Sequence, residues 1–206
     1  MDRQPLAGAL LFVAGVVALL GIITAEAFYP GYSTRDNTIS DLGASMPPES
    51  IIARPSATIF NATMIATGLL VIAGALLLFG AAWSRGRGFA LLVGLFGVGV
   101  LGVGLFPGHD PVAHPIFAML AFVAGGLSAV AAAGATAPPF RYISAALGVV
   151  ALLDLALYFA LGPSSPFAAL GIGGLERWVA YPIILWTVGF GGHLMGPSPS
   201  GRSGSE

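Results

Sequence analysis

Apolar residues in this 206-residue chain fall in long uninterrupted blocks, without the amphipathic stripes of a surface helix. Six blocks stand out, at about 6–28, 56–80, 88–106, 115–134, 142–161 and 178–194. The first is long enough to cross a ~30 Å hydrocarbon layer at ~1.5 Å per residue. Breaks between blocks carry helix punctuation. Pro55 precedes the second block, the polar turn 84–87 (SRGR) separates the second from the third, Pro115 sits where a helix starts, and Pro138 and Pro139 follow the fourth. The pattern predicts an all-α fold, a polytopic transmembrane bundle of six spans forming one domain over residues 1–196. Residues 197–206, rich in Gly, Pro and Ser, are expected to be a disordered tail. The first block also has features of a cleaved signal peptide, with Arg3 before it and Ala25-Glu26-Ala27 near its end. It exceeds the usual apolar length of such a leader.

Composition agrees with a bilayer protein. Hydrophobic residues make up 56% of the chain, charged residues only 8%, and mean hydropathy is +0.90. A net charge of −1 without runs of like charge leaves no footprint for nucleic acid. Cysteine is absent, which removes disulfides, thiol catalysis and Cys-ligated metals, and all eight cations are Arg, which removes Lys Schiff-base chemistry. With the N-terminus inside, Arg3, Arg85, Arg87, Arg141 and Arg202 lie on one side against Arg35, Arg54 and Arg177 on the other, so both termini are expected to be cytoplasmic. Trp83, Tyr142, Trp178 and Tyr181 fall near span ends, as interfacial aromatics do. Glycines at 94, 97, 99, 102 and 104 bare two sides of the third span, which is expected to be the central, closely packed helix.

Polar residues against lipid are costly, so their positions are informative. They gather toward the expected outer side. Glu26 ends the first span; Asn37, Ser40 and Asp41 lie in the following loop; Asn61 enters the second span. His109, Asp110 and His114 occupy the third connection, and Glu176 and Arg177 open the sixth span. Asp154 lies within the fifth span, eight residues before Gly162, or ~12 Å in from that end. Tyr158, one turn further on, can donate to it, with Arg54 or Arg177 as counter-ion. A shared pocket in the outer leaflet is expected, built from Glu26, Asn37, Ser40, Asp41, Asn61, His109, His114, Asp154, Tyr158, Glu176 and Arg177.

The segment 37–43 (NTISDLG), the entry Phe60-Asn61-Ala62-Thr63 with Thr67-Gly68, the turn from Phe106-Pro107 to His114, and Gly174-Leu175-Glu176-Arg177 resemble the motifs of domain-of-unknown-function family 998. The resemblance spans about 6–196 and implies a small six-helix prokaryotic membrane protein without an established activity. A more distant similarity is to the membrane hydrolases that include alkaline ceramidases, whose zinc sites use three His with a Ser and an Asp. Here His193 lies sixteen residues beyond Arg177, ~24 Å along the helix, and cannot join His109 and His114. A zinc site would need Asp41 or another carboxylate as third ligand.

Three functional readings follow. The one that asks least of the residues is a non-enzymatic protein of the cell membrane that binds a lipid or small amphiphile in the outer pocket, or packs against another membrane protein, with no cofactor. The second is a metal-dependent lipid hydrolase, with Ser40, Asp41, His109 and His114 as catalytic candidates and His109, His114 and Asp41 as metal ligands. The third is a transporter coupled through Asp154. Each candidate also has a structural reading. Ser40 and Asp41 would cap the loop turn, His109 would be solvated, His114 would flank the fourth span, and Asp154 would make a buried hydrogen bond.

Overall fold

The computed structural model describes residues 3–80 and 86–196. Trp83 and Arg85, and Arg202 with the expected tail, lie outside these. Among the described residues, six helices are long and apolar enough to cross a membrane. They are α1 (Arg3–Ala27), α2 (Ser56–Phe79), α3 (Gly86–Leu105), α4 (Ala113–Ala133), α5 (Phe140–Leu161) and α6 (Gly171–Met195). The chain is an all-α polytopic integral membrane protein.

Proline and glycine set the ends. Pro55 and Pro139 stand at the N-caps of α2 and α5, where a missing N–H costs nothing. Gly80, Gly134 and Gly162 close α2, α4 and α5. The helix α6 begins at Gly171, where φ is +71°, several residues before the apolar run that marks the sixth block in the sequence. Its first two turns carry Glu176 and Arg177 into the protein.

Each helix packs on its neighbours in sequence, α6 returns to α1, and α4 also touches α6. The α4–α6 contact closes a ring of α1, α2, α3, α4 and α6, with α5 laid outside its seam. Burial agrees, since 22% of the apolar stretch of α5 is buried against 39–50% for the other helices. Only Ser144, Gly148, Ala151 and Asp154 of α5 are buried, a single stripe of small residues ending in an acid. The expectation that α3 faces two neighbours holds, because Gly97 and Gly104 lie against α2 while Gly99 and Gly102 lie against α4. The helix α3 is a member of the ring and not its axis.

The two ends of the bundle differ. The hairpin end, with the described connection 134–139, is filled by Trp186, Phe190 and Phe89, whose rings pack 5.2–5.5 Å apart by centroid. Trp186 donates to Ser144 Oγ at 2.8 Å, and Ser144 donates to the Ala129 carbonyl at 2.7 Å, which fastens α5 to α4 and α6 there. The loop end, with connections 28–55, 106–112 and 162–170, is hollow. The connection 28–55 is long for one whose only helix is a single 3-10 turn at Ser40–Leu42 among the described residues, yet it is pulled inward as a lid, with Ile39, Leu42 and Ala44 at 5%, 0% and 1% exposure.

Candidate functional site

One side chain, Arg177, makes the most bonds to the lid. Arg177 is buried and donates through Nη1 to the carbonyls of Thr34 (2.9 Å) and Asn37 (3.2 Å) in the lid and of Gly173 (2.8 Å) in its own helix. Through Nη2 it donates to Glu26 Oε1 at 2.6 Å and Tyr32 Oη at 2.7 Å, the Tyr32 ring lying under the guanidinium. Tyr32 in turn donates to the Thr38 carbonyl at 2.7 Å. Burial raises the Tyr32 phenol above its ordinary range in spite of the neighbouring guanidinium, so it remains a donor. The Ile39 N–H donates to Glu176 Oε2, and the Gly173 N–H donates to the Arg35 carbonyl at 2.9 Å. The approach at Gly173 is so close that a Cβ there would lie 2.1 Å from the Asn37 oxygen. No other residue type fits without moving the lid.

Two cavities lie beneath and beside this lid. The central one, about 80 Å³, sits inside the five-helix ring under Ile39 and Ser40. It runs from His114 and Glu176 down to Phe96 and Ile183, a depth of ~10 Å at helical rise. The polar groups in its wall are Ser40, Thr67, His114 and Glu176. The Thr67 hydroxyl is buried without a partner among the described residues. His114 is 4% exposed and its Nδ1 lies 2.8 Å from the Phe106 carbonyl. A carbonyl only accepts, so Nδ1 carries the proton and Nε2 of the neutral ring has the lone pair.

The lateral cavity, about 200 Å³, lies between α5 and the α4–α6 seam. Ala118, Phe122 and Glu176 belong to the walls of both cavities, so Glu176 stands between them. Its other polar lining is Thr38, Asp154 and Tyr158, set among Met119, Leu155, Phe159, Leu175 and Val179. Asp154 is 6% exposed and its Oδ2 has no hydrogen-bond partner among the described residues.

The residues expected to share one pocket therefore divide. Glu26, Asn37 and Arg177 form the lid clamp; Ser40 and His114 face the central cavity; Asp154 and Tyr158 face the lateral one; Glu176 borders both. Asp41 serves its own turn, its Oδ2 accepting from the Thr38 N–H at 2.8 Å while its N–H donates to Thr38 Oγ1. Asn61 Oδ1 is buried, without a partner among the described residues, and packed against Gly43. His109 is exposed in the 106–112 turn. Asp110 accepts from the N–H groups of Val112 and Ala113 at the start of α4, and these bonds hold its carboxyl below the usual range. Among the described residues no three of His, Asp and Glu are placed to hold a metal ion.

The counter-ion expected for Asp154 is elsewhere. Arg54 is exposed, and Arg177 is spent on Glu26 and the lid carbonyls, which offer a fuller set of acceptors than one carboxylate. Tyr32 and Thr67 belong to the site and were not among its expected residues. Thr67 had a signal, since Thr67-Gly68 is part of the motif set. Tyr32 had none, because its role depends on the lid folding back over Arg177.

The family described as "Protein of unknown function (DUF998)" matches residues 12–193. No curated protein and no solved structure matches the chain.

Proposed function

The chain belongs to the DUF998 family, and we propose that it is a non-enzymatic membrane protein that holds a lipid or small amphiphile in the lateral cavity, with both termini cytoplasmic. The observation carrying this reading is the cavity of about 200 Å³ beside α5, apolar except for a few polar groups around Asp154 and Glu176. Apolar walls with a few fixed polar groups are the usual composition of a small-molecule site. Asp154 lies ~12 Å in from the loop end of α5, within the leaflet on that side. Exposed Ile116, Phe159 and Ile172 surround the region with lipid-facing surface.

Binding is better supported than the alternatives. Hydrolysis built on Ser40, Asp41, His109 and His114 draws no support from an Asp41 engaged in its turn and a His109 in the solvent-facing loop. Transport through the ring would have to pass the packed Trp186, Phe190 and Phe89. The cytoplasmic placement of the termini rests on Arg. Five of the eight lie by sequence at the hairpin end, and of the other three Arg177 is buried in an ion pair.

Native mass spectrometry of protein released from bilayer nanodiscs tests the reading. Wild type is expected to retain an amphiphile of defined mass. Ala118→Phe, which fills the wall shared by both cavities, is expected to lose it while keeping its thermal midpoint. Wild type that retains nothing beyond the lipid shed equally by the variant would overturn the proposal.

A further inference from the structure

We infer, building on the amphiphile-binding reading, that the lateral site selects a cationic head group, an alkylamine in chemical class, with Asp154 as its counter-charge and the tail lying along the α5–α6 face. Charge makes the first argument. Among the described residues, two carboxylates, Asp154 and Glu176, line the cavity and no cation does. The chain has no Lys, and Arg177, next in sequence to Glu176, turns both terminal nitrogens to Glu26, Tyr32 and the lid, leaving only its buried Nε without a partner among the described residues. An anionic head would meet like charge at low dielectric, where repulsion is strong.

Hydrogen bonding makes the second. Asp154 is more than nine-tenths buried and its Oδ2 has no partner among the described residues, a condition that native proteins rarely leave unexplained. A primary ammonium brings three donors and a full charge, and a charge-assisted bond is about twice as strong as a neutral one. Tyr158 in the same wall offers a further acceptor.

Shape makes the third. Asp154 also borders a second cavity of about 410 Å³ on the α6 side of α5, together with Leu153, Phe167 and Trp178. That cavity shares Val150, Ala169, Leu170 and Trp178 with a surface groove of about 740 Å³, which has Arg35 and Arg177 in its wall at the lid and runs down the α5–α6 face to Leu147 and Leu185. A head at Asp154 thus has a path for its chain along Val150, Leu147 and Leu185, away from the two Arg and ending on lipid-facing surface.

The test uses ω-bromoalkyl amine, alcohol and carboxylate probes of one chain length, added to the full chain in phosphatidylcholine nanodiscs. Bromine quenching is read at Trp178 as the difference from Trp178→Phe. The amine is expected to quench saturably at a concentration at least about tenfold below that of the alcohol, the charge-assisted bond being the difference. Asp154→Asn should abolish that preference. Equal potency of amine and alcohol, or tighter binding of the carboxylate, would overturn the inference and leave the amphiphile reading standing. Absence of saturable quenching by any probe would overturn both. The comparison of probes on wild type decides the matter even if Asp154→Asn fails to fold.

Discussion

Replacing Arg177 by Met should release the lid while leaving the ring of helices in place. The guanidinium makes three bonds to carbonyls and two to side chains, and its pair with Glu26 is 10% and 19% exposed at the two side chains. Removing one partner of a buried pair costs about 3–5 kcal/mol, because the other charge is left without compensation. The exposure of Glu26 allows partial rehydration, so the lower end, ~3 kcal/mol, is expected. The carbonyls of Thr34 and Asn37 lose a donor too, but once the lid lifts they meet water. Three kcal/mol corresponds to roughly a hundredfold loss of protection, at ~1.4 kcal/mol per factor of ten. Hydrogen–deuterium exchange of peptides covering 28–55 in nanodiscs reads this directly, with peptides of α2 and α3 as internal reference. Glu26→Gln added to Arg177→Met should recover part of the loss by removing the orphaned carboxylate. Lid protection unchanged within about threefold, under ~0.7 kcal/mol, would refute the clamp.

Three further outcomes follow from the packing. Gly173→Ala places a Cβ 2.1 Å from the Asn37 oxygen, so it should lower lid protection by about 1–3 kcal/mol. Gly192→Ala, with nothing within 4 Å, should not. Ser144→Ala strands the buried Trp186 indole N–H and frees the α5–α4 fastening; a loss of roughly 1–3 kcal/mol is expected in thermal unfolding, and a neutral result would show that α5 is held by packing alone. Because the chain has no native Cys, Glu49→Cys in the exposed part of the lid reports topology. Intact cells should label it with a membrane-impermeant maleimide, and labelling only after lysis would reverse the proposed orientation.

The six helices were legible because each is apolar over most of its circumference and bounded by Pro, Gly or an Arg-bearing turn. The peripheral place of α5 was not, since its block is as apolar as the rest and only the stripe of Ser144, Gly148, Ala151 and Asp154 distinguishes it. Glycines on two faces of α3 correctly implied two neighbours, yet two neighbours fit a ring as well as an axis. The polar residues were visible one by one, but their partition was not. Arg177 could have turned to Asp154 or to Glu26, and the lid decides this by supplying the carbonyls of Thr34 and Asn37 on one side only. His109 and His114, five residues apart in sequence, end in different surroundings because Asp110 starts α4 between them and turns His114 inward.

The most direct test of a lateral amphiphile site is photo-crosslinking in nanodiscs with an alkylamine carrying a tail diazirine, its adducts mapped by peptide mass spectrometry. Adducts should concentrate on the loop halves of α5 and α6 and be competed by unlabelled amine. Adducts spread evenly over lipid-facing positions such as Leu76, Leu91 and Leu20, indifferent to competitor, would contradict the lateral site.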